Sequence, residues 1–228
     1  MEEKQTVVVA GATGRVGRLV IDEVLARGFN ARAILVPPFD SSDQPEFSEK
    51  KVEMVEGDLT SVKSLEKAVE GADYLISAIG SKKPFSKKEN NRVDNMGNQN
   101  LVRAAKAKGL KRVVIVSSNG VGNSRRAISL MHKLSMNTIL RAKEKSEAFI
   151  LSFGMEYTLL RPGGYNEKDL SGEIVYGENG GLSGLIGRGG IAKACADAIT
   201  NPAMKNRTLE VMDKAKLKPE RDQYIIKL

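Results

Sequence analysis

An apolar run, TVVVA at 6–10, leads into glycines at 11, 14 and 17 and then into VGRLVIDEVLARGF, where Val16, Val20, Ile21, Val24 and Leu25 recur at helical spacing. A strand, a glycine turn and a helix in direct succession constrain the fold more than any other stretch of the chain. The first glycine permits the tight turn, the second lets backbone N–H groups approach a pyrophosphate, and the third lets the helix pack close to the strand. A phosphate bound there meets the positive end of the helix dipole. The stretch therefore reads as a dinucleotide-binding loop rather than as a turn of purely structural use.

The remaining chain alternates the same two periods. ARAILV (31–36) predicts a second strand stopped by Pro37 and Pro38, KVEMVEGD a third, and SVKSLEKAVEG a helix with Leu65 and Val69 on one face. ADYLISAIG, RVVIVSS and MEYTLLRPGG predict further strands, separated by VDNMGNQNLVRAAKAKG and a helix over about 135–153; IAKACADAIT and RTLEVMD add a last helix and strand. Strands alternating with helices imply an α/β fold, a Rossmann-like doubly wound parallel sheet in a single domain over 1–228, with ligands at the carboxyl ends of the strands. Glycine-rich residues 163–190 are expected as an irregular loop or small lobe over that site. In the tail, Tyr224, Ile225 and Ile226 predict a last edge strand.

Composition narrows the functional classes. One cysteine, Cys195, and one histidine, His132, supply neither a disulfide framework nor a metal cluster. Apolar runs fall far short of the roughly 20 residues that cross a bilayer, and the opening MEEKQ is polar and acidic. A reducing compartment is expected, either the cytoplasm or an organelle interior after removal of a targeting segment. The net charge of +8 is unevenly placed: residues 82–145 hold 16 basic and 3 acidic side chains. The simplest reading of that excess is a solvated lysine-rich face; steering of anionic ligands, nucleic acid or a membrane surface are the others. No GxSxG, HExxH or GxxxxGK[ST] pattern is present.

GATGRVGR, EGDLTS, SAIGS, VDNMGNQNLVRAAKAKGLKRVVIVSSNGVG and GMEYTLLRPGG together resemble the atypical short-chain dehydrogenase/reductases of the NAD(P)-binding, NmrA-like type, from residue 5 to about residue 213. The resemblance implies that the backbone at Gly11, Gly14 and Gly17 holds the pyrophosphate, with Thr13, Arg15 and Val16 in the same cofactor-binding loop. It places Asp58 and Leu59 beside the adenine, Ala78, Ile79 and Gly80 beneath the ribose and pyrophosphate, and Pro162, Gly163 and Gly164 beside the nicotinamide. An enzyme of the NAD type usually carries an acidic residue at the end of its second strand. Here that strand ends in Val36 and Pro37, while Arg15 and Arg32 offer cations for a 2′-phosphate. NADP(H) is therefore expected over NAD(H).

The catalytic residues are less complete. Lys143 matches the family's lysine, but Ile139 stands four residues earlier, where a tyrosine would pass the proton. Ser118 matches the serine that hydrogen-bonds a substrate carbonyl, and Tyr165, after RPGG, is the nearest substitute phenol. Tyr157 is expected in the core and His132 on the surface. Asp94 stands where relatives often have asparagine, and Gly190 where they commonly have an acidic residue. Three readings follow: an NADP(H)-dependent oxidoreductase acting on a small conjugated substrate, a cofactor-binding redox sensor or assembly factor without turnover, and a relative that uses its basic middle segment on RNA or a membrane. A protein partner belongs to the second.

Overall fold

The computed structural model describes residues 4–37 and 44–228, so Pro38 lies outside the described residues. In chain order the elements are β1 (Thr6–Ala10), α1 (Arg15–Ala26), β2 (Asn30–Leu35), α2 (Gln44–Glu49), β3 (Glu53–Glu56), α3 (Val62–Val69) and β4 (Tyr74–Ser77). There follow α4 (Lys87–Asn90), α5 (Asn98–Ala107), β5 (Arg112–Val116), α6 (Leu130–Ser135), α7 (Asn137–Ser152) and β6 (Tyr157–Pro162). The chain closes with β7 (Gly164–Tyr165), β8 (Ile174–Gly177), β9 (Leu185–Ile186), α8 (Arg188–Thr200), β10 (Arg207–Asp213) and β11 (Ile225–Ile226).

Nine strands form one sheet in the order β11-β8-β10-β6-β5-β4-β1-β2-β3. Every neighbouring pair from β3 to β10 is parallel, and β8 and β11 add an antiparallel edge. This is the doubly wound single domain that the alternating pattern implies. Along β1 the side chains alternate: Val7 and Val9 face a core layer shared with α1 and α8, while Val8 and Ala10 face one shared with α3, α5 and α7. Strands buried on both faces must be apolar throughout, which is why β1 and β5 read as unbroken hydrophobic runs. The strand order reverses between β1 and β4, opening a crevice at their carboxyl ends.

Several elements depart from expectation. The helix expected over 135–153 is α7, but a short α6 that the pattern did not mark precedes it, capped by Ser129 and separated from it by a break at Met136. The segment from Lys87 to Ala107 is helical throughout, but residues Asn91–Gly97 widen into a π-turn. Residues 163–190 carry three short strands rather than an irregular loop; β7 and β9 pair with each other and β8 joins the main sheet. The expected edge strand is β11, with Ile225 and Ile226 paired to β8.

Candidate functional site

Between β1 and α1 the chain turns at Gly11, held at φ +82°. A Cβ there would stand 2.8 Å from the carbonyl of Ala78, and one on Gly17 would stand 2.0 Å from the carbonyl oxygen of Gly11. No side chain fits at either position, so β4 and the first turn of α1 close directly on the loop. Gly14 N–H donates to the Gly11 carbonyl at 2.9 Å, and α1 has no side-chain cap, which leaves its first-turn N–H groups open to an anion. A dinucleotide pyrophosphate fits this cradle.

The crevice broadens into a cleft of about 710 Å³. Gly14, Arg15 and Val16 form one side, with Ala78, Ile79 and Gly80 from the end of β4 beside them. The other side carries Ser118 after β5, Lys143 on α7, and Pro162, Gly163, Gly164 and Tyr165 after β6. Residues from Gly14 to Tyr165 thus line one cleft, because parallel strands deliver their carboxyl ends to the same edge.

Lys143 is nearly buried. Its ammonium donates to the Val116 carbonyl at 3.1 Å and stands 3.2 Å from Asp94 Oδ1, while Asp94 Oδ2 accepts from Ser81 N–H at 3.2 Å. The π-turn holds Asp94 fully buried against the cleft, the kind of local widening that recurs at functional sites. One turn before Lys143, Ile139 also lines the cleft and carries no proton. Ser118 Oγ donates to the carbonyl of Asn119 at 3.1 Å. Beneath it, Ser117 donates to Glu147, whose carboxylate also accepts from Arg161 Nε at 3.1 Å and Nη2 at 2.5 Å. That buried ion pair ties α7 to β6 and fixes the approach to Pro162. Tyr165 is exposed at the rim, with the Arg188 guanidinium 4.9 Å from its ring centre.

Other predicted positions fall elsewhere. Arg32 is turned away from the cleft: its Nε donates to Glu53 at 2.7 Å and its Nη1 to the carbonyls of Ala68 and Glu70 at 3.2 and 2.7 Å. It closes the end of α3, and the expectation that it meets a 2′-phosphate is corrected accordingly. Asp58 is exposed and folds back on its own turn. Hydrogen bonds from the backbone and hydroxyl of Thr60 hold its carboxyl below the ordinary range, and Ser61 caps α3. Leu59 is buried, its carbonyl accepting from Asn100. Thr13 is half-buried in the loop and does not line the cleft. A Cβ on Gly190 would stand 2.7 Å from Ile174 Cδ1 and 3.0 Å from Ile186 Cγ1, so a side chain there would have to displace the ends of those two isoleucines.

Residues that motif reading did not select also line the cleft, among them Asn119, Met136, Arg188 and Lys218, together with His132, which is exposed as expected and borders the cleft from α6. Lys218 arrives from the tail, through a bond from its N–H to Ser183, and no local pattern marks it. Cys195 is fully buried in α8, where burial pushes its thiol up to about 12, far from any reactive role. Among the described residues no cluster of three or more His, Cys, Asp or Glu is arranged to hold a metal ion, and no helix is long and apolar enough to cross a membrane.

Comparison with known proteins agrees with this geometry. The model of a family described as NAD(P)H-binding matches residues 11–202. An uncharacterized chloroplastic protein of Arabidopsis thaliana is 30% identical over 236 residues, covering 93% of this chain and 70% of its own. Sanguinarine reductase of Eschscholzia californica is 26% identical over 258 residues, covering 93% of this chain and 90% of its own. Among solved structures, the anaerobilin reductase ChuY of Escherichia coli O157:H7 superposes with a TM-score of 0.79 at 21% identity, over 94% of this chain and all of that one. A glycine cradle at the sheet's switch point, an uncapped helix terminus and a family match across most of the sequence agree: the chain belongs to the NAD(P)H-binding family, in the NmrA-like group of atypical short-chain dehydrogenase/reductases.

Proposed function

We propose that the chain is an NADP(H)-dependent oxidoreductase that reduces a small conjugated acceptor in the 710 Å³ cleft. The observation that carries this reading is Lys143, a lysine held in the cleft wall by Asp94 and the Val116 carbonyl, opposite the dinucleotide loop. A binding loop alone needs no such residue across the cleft. When bound, the nicotinamide supplies the hydride. Gly11, Gly14 and Gly17 would hold its pyrophosphate, and Lys143 its ribose. Ala78, Ile79 and Gly80 would lie beneath the dinucleotide, with Pro162, Gly163 and Gly164 beside the ring.

Ser118 would orient the acceptor's carbonyl. Because Ile139 cannot move a proton, the proton would come from His132 on the cleft wall, from the Tyr165 phenol at the rim, or from water. Arg15 supports NADP(H): it lines the cleft and its guanidinium has no ion-pair partner among the described residues. Sanguinarine reductase and ChuY are both named as reductases, which supports turnover over mere sensing. The chloroplastic relative supports an organelle interior as the place of action.

The test is NADPH oxidation followed at 340 nm against panels of flavins, quinones and conjugated carbonyl compounds. Turnover with at least one acceptor, lost in a folded Lys143→Ala variant, is the expected result. Tight cofactor binding with no turnover across the panels would assign the chain to a redox sensor or assembly factor instead.

A further inference from the structure

The most exposed large apolar side chains among the described residues lie on α6 and in the loop before α4. Helix α6 has no buried residue, and its Leu130, Met131 and Leu134 are 70%, 80% and 72% exposed. Phe85, 79% exposed, belongs to the same region: the carbonyl of the preceding Pro84 accepts from Asn90 Nδ2 at 2.7 Å and from Thr138 Oγ1 at 2.9 Å. Those bonds pin the 82–86 loop to the start of α7, immediately after α6. These four are the most exposed large apolar side chains among the described residues; the next, Tyr165, is at 57%. Water-facing groups of this size gathered at one place mark an interaction surface.

The charges around them select the partner. Lys82, Lys83, Lys87 and Lys88 flank Phe85 and Lys133 lies on α6; none of the five has an ion-pair partner among the described residues. Of the three acidic residues in 82–145, Glu89 pairs with Arg92 and Asp94 is buried against Lys143, leaving only Glu144. We propose that this face, α6 with the 82–88 loop, docks on an anionic lipid bilayer. Protein interfaces are depleted in lysine, whereas lysines ringing an apolar group match peripheral membrane surfaces, where apolar groups enter the headgroup layer and ammonium groups meet anionic lipid.

The geometry gives the docking a use. Ser129, His132 and Met136, which belong to α6 and its ends, line the cleft, so the helix that would rest in the headgroups is also part of the cleft's rim. An acceptor dissolved in the bilayer would reach the site without crossing water. That consequence rests on the reductase reading; the docking itself does not.

Co-sedimentation with vesicles of neutral phosphatidylcholine, or of phosphatidylcholine containing 30% phosphatidylglycerol, tests the proposal without any turnover. At least tenfold stronger partition onto the anionic vesicles is expected, falling steeply as salt is raised. The doubly substituted Phe85→Ser/Leu134→Ser chain should lose at least tenfold of that partition while keeping the melting temperature and NADPH affinity of the parent. Equal partition onto both vesicles, or anionic binding untouched by the double substitution, would overturn the proposal. So would a concentration-dependent dimer abolished by the same double substitution, which would assign the face to a second copy of the chain.

Discussion

Removing the Asp94 carboxylate probes the wall of the cleft directly. At 3.2 Å, with Asp94 fully buried and the Lys143 side chain 10% exposed, the gross attraction is about 5 kcal/mol at an effective dielectric constant near 20. Desolvation of both groups offsets most of this, so the pair's net worth is small, whereas removing one partner strands the other and costs about 3–5 kcal/mol. Asp94→Ala leaves Lys143 the Val116 carbonyl and water from the cleft, which puts it at about 3 kcal/mol, a fall in melting temperature of about 6–12 °C. Lys143→Met leaves a buried carboxylate with one N–H donor, from Ser81, and falls at the upper end, about 4–5 kcal/mol. The doubly substituted chain has no stranded charge, so it should cost less than Lys143→Met alone and fall well short of the sum of the two. Urea unfolding of the three variants and the parent, without cofactor, measures all four corners. Additivity within about 0.5 kcal/mol would refute the coupling.

Two further outcomes follow from groups outside the cleft. Arg32→Ala removes charge-assisted bonds to Glu53 and to the carbonyls ending α3, so it should destabilise the fold by about 2–3 kcal/mol yet leave NADPH affinity within about twofold; tenfold weaker NADPH binding at unchanged melting temperature would restore the phosphate role. For Asp213, burial raises the carboxyl's pKa, but bonds from Ser171, Gly172 and Ala215 outweigh it and the net shift is downward. Its stabilising effect is therefore present above the unfolded carboxyl's pKa, about 4, and is lost as pH falls through the lower folded value. Asp213→Asn should be less stable than the parent near neutrality by about 1–3 kcal/mol, with the gap closing in acid; a gap of the same size at both ends of the pH range would contradict this.

What could be seen in the sequence was what is local. The glycines, the strand before them and the amphipathic helix after them are adjacent, so turn, helix terminus and binding loop follow from a dozen residues. Alternation of the two periods carries the sheet and its single domain for the same reason. Arg32 went astray because its place near the end of β2 was legible while its neighbours were not. Its side chain lies on the same strand face as Ile34, toward α3, where carbonyls at residues 68 and 70 claim it. The Asp94–Lys143 pair joins residues of different helices, and its partner choice depends on the π-turn that aims Asp94 inward. Spacing along either helix carries no trace of it.

Helix α6 shows the opposite failure. Leu130 and Leu134 stand four residues apart, the spacing of a core-facing stripe, yet among the described residues no element packs over them. Phe85 among the surrounding lysines was readable in KKPFSKK, but its exposure and its place beside α6 come only from the fold.

The account rests most heavily on the loop at Gly11–Gly17 and its Arg15. Calorimetric titration of the parent chain and of Arg15→Ala with NADPH and with NADH tests both together. NADPH should bind the parent at least tenfold more tightly than NADH, and the substitution should close that gap while leaving NADH affinity unchanged. Equal affinities in the parent would contradict the assignment of NADP(H), and failure of either dinucleotide to bind would contradict the reading of the cleft itself.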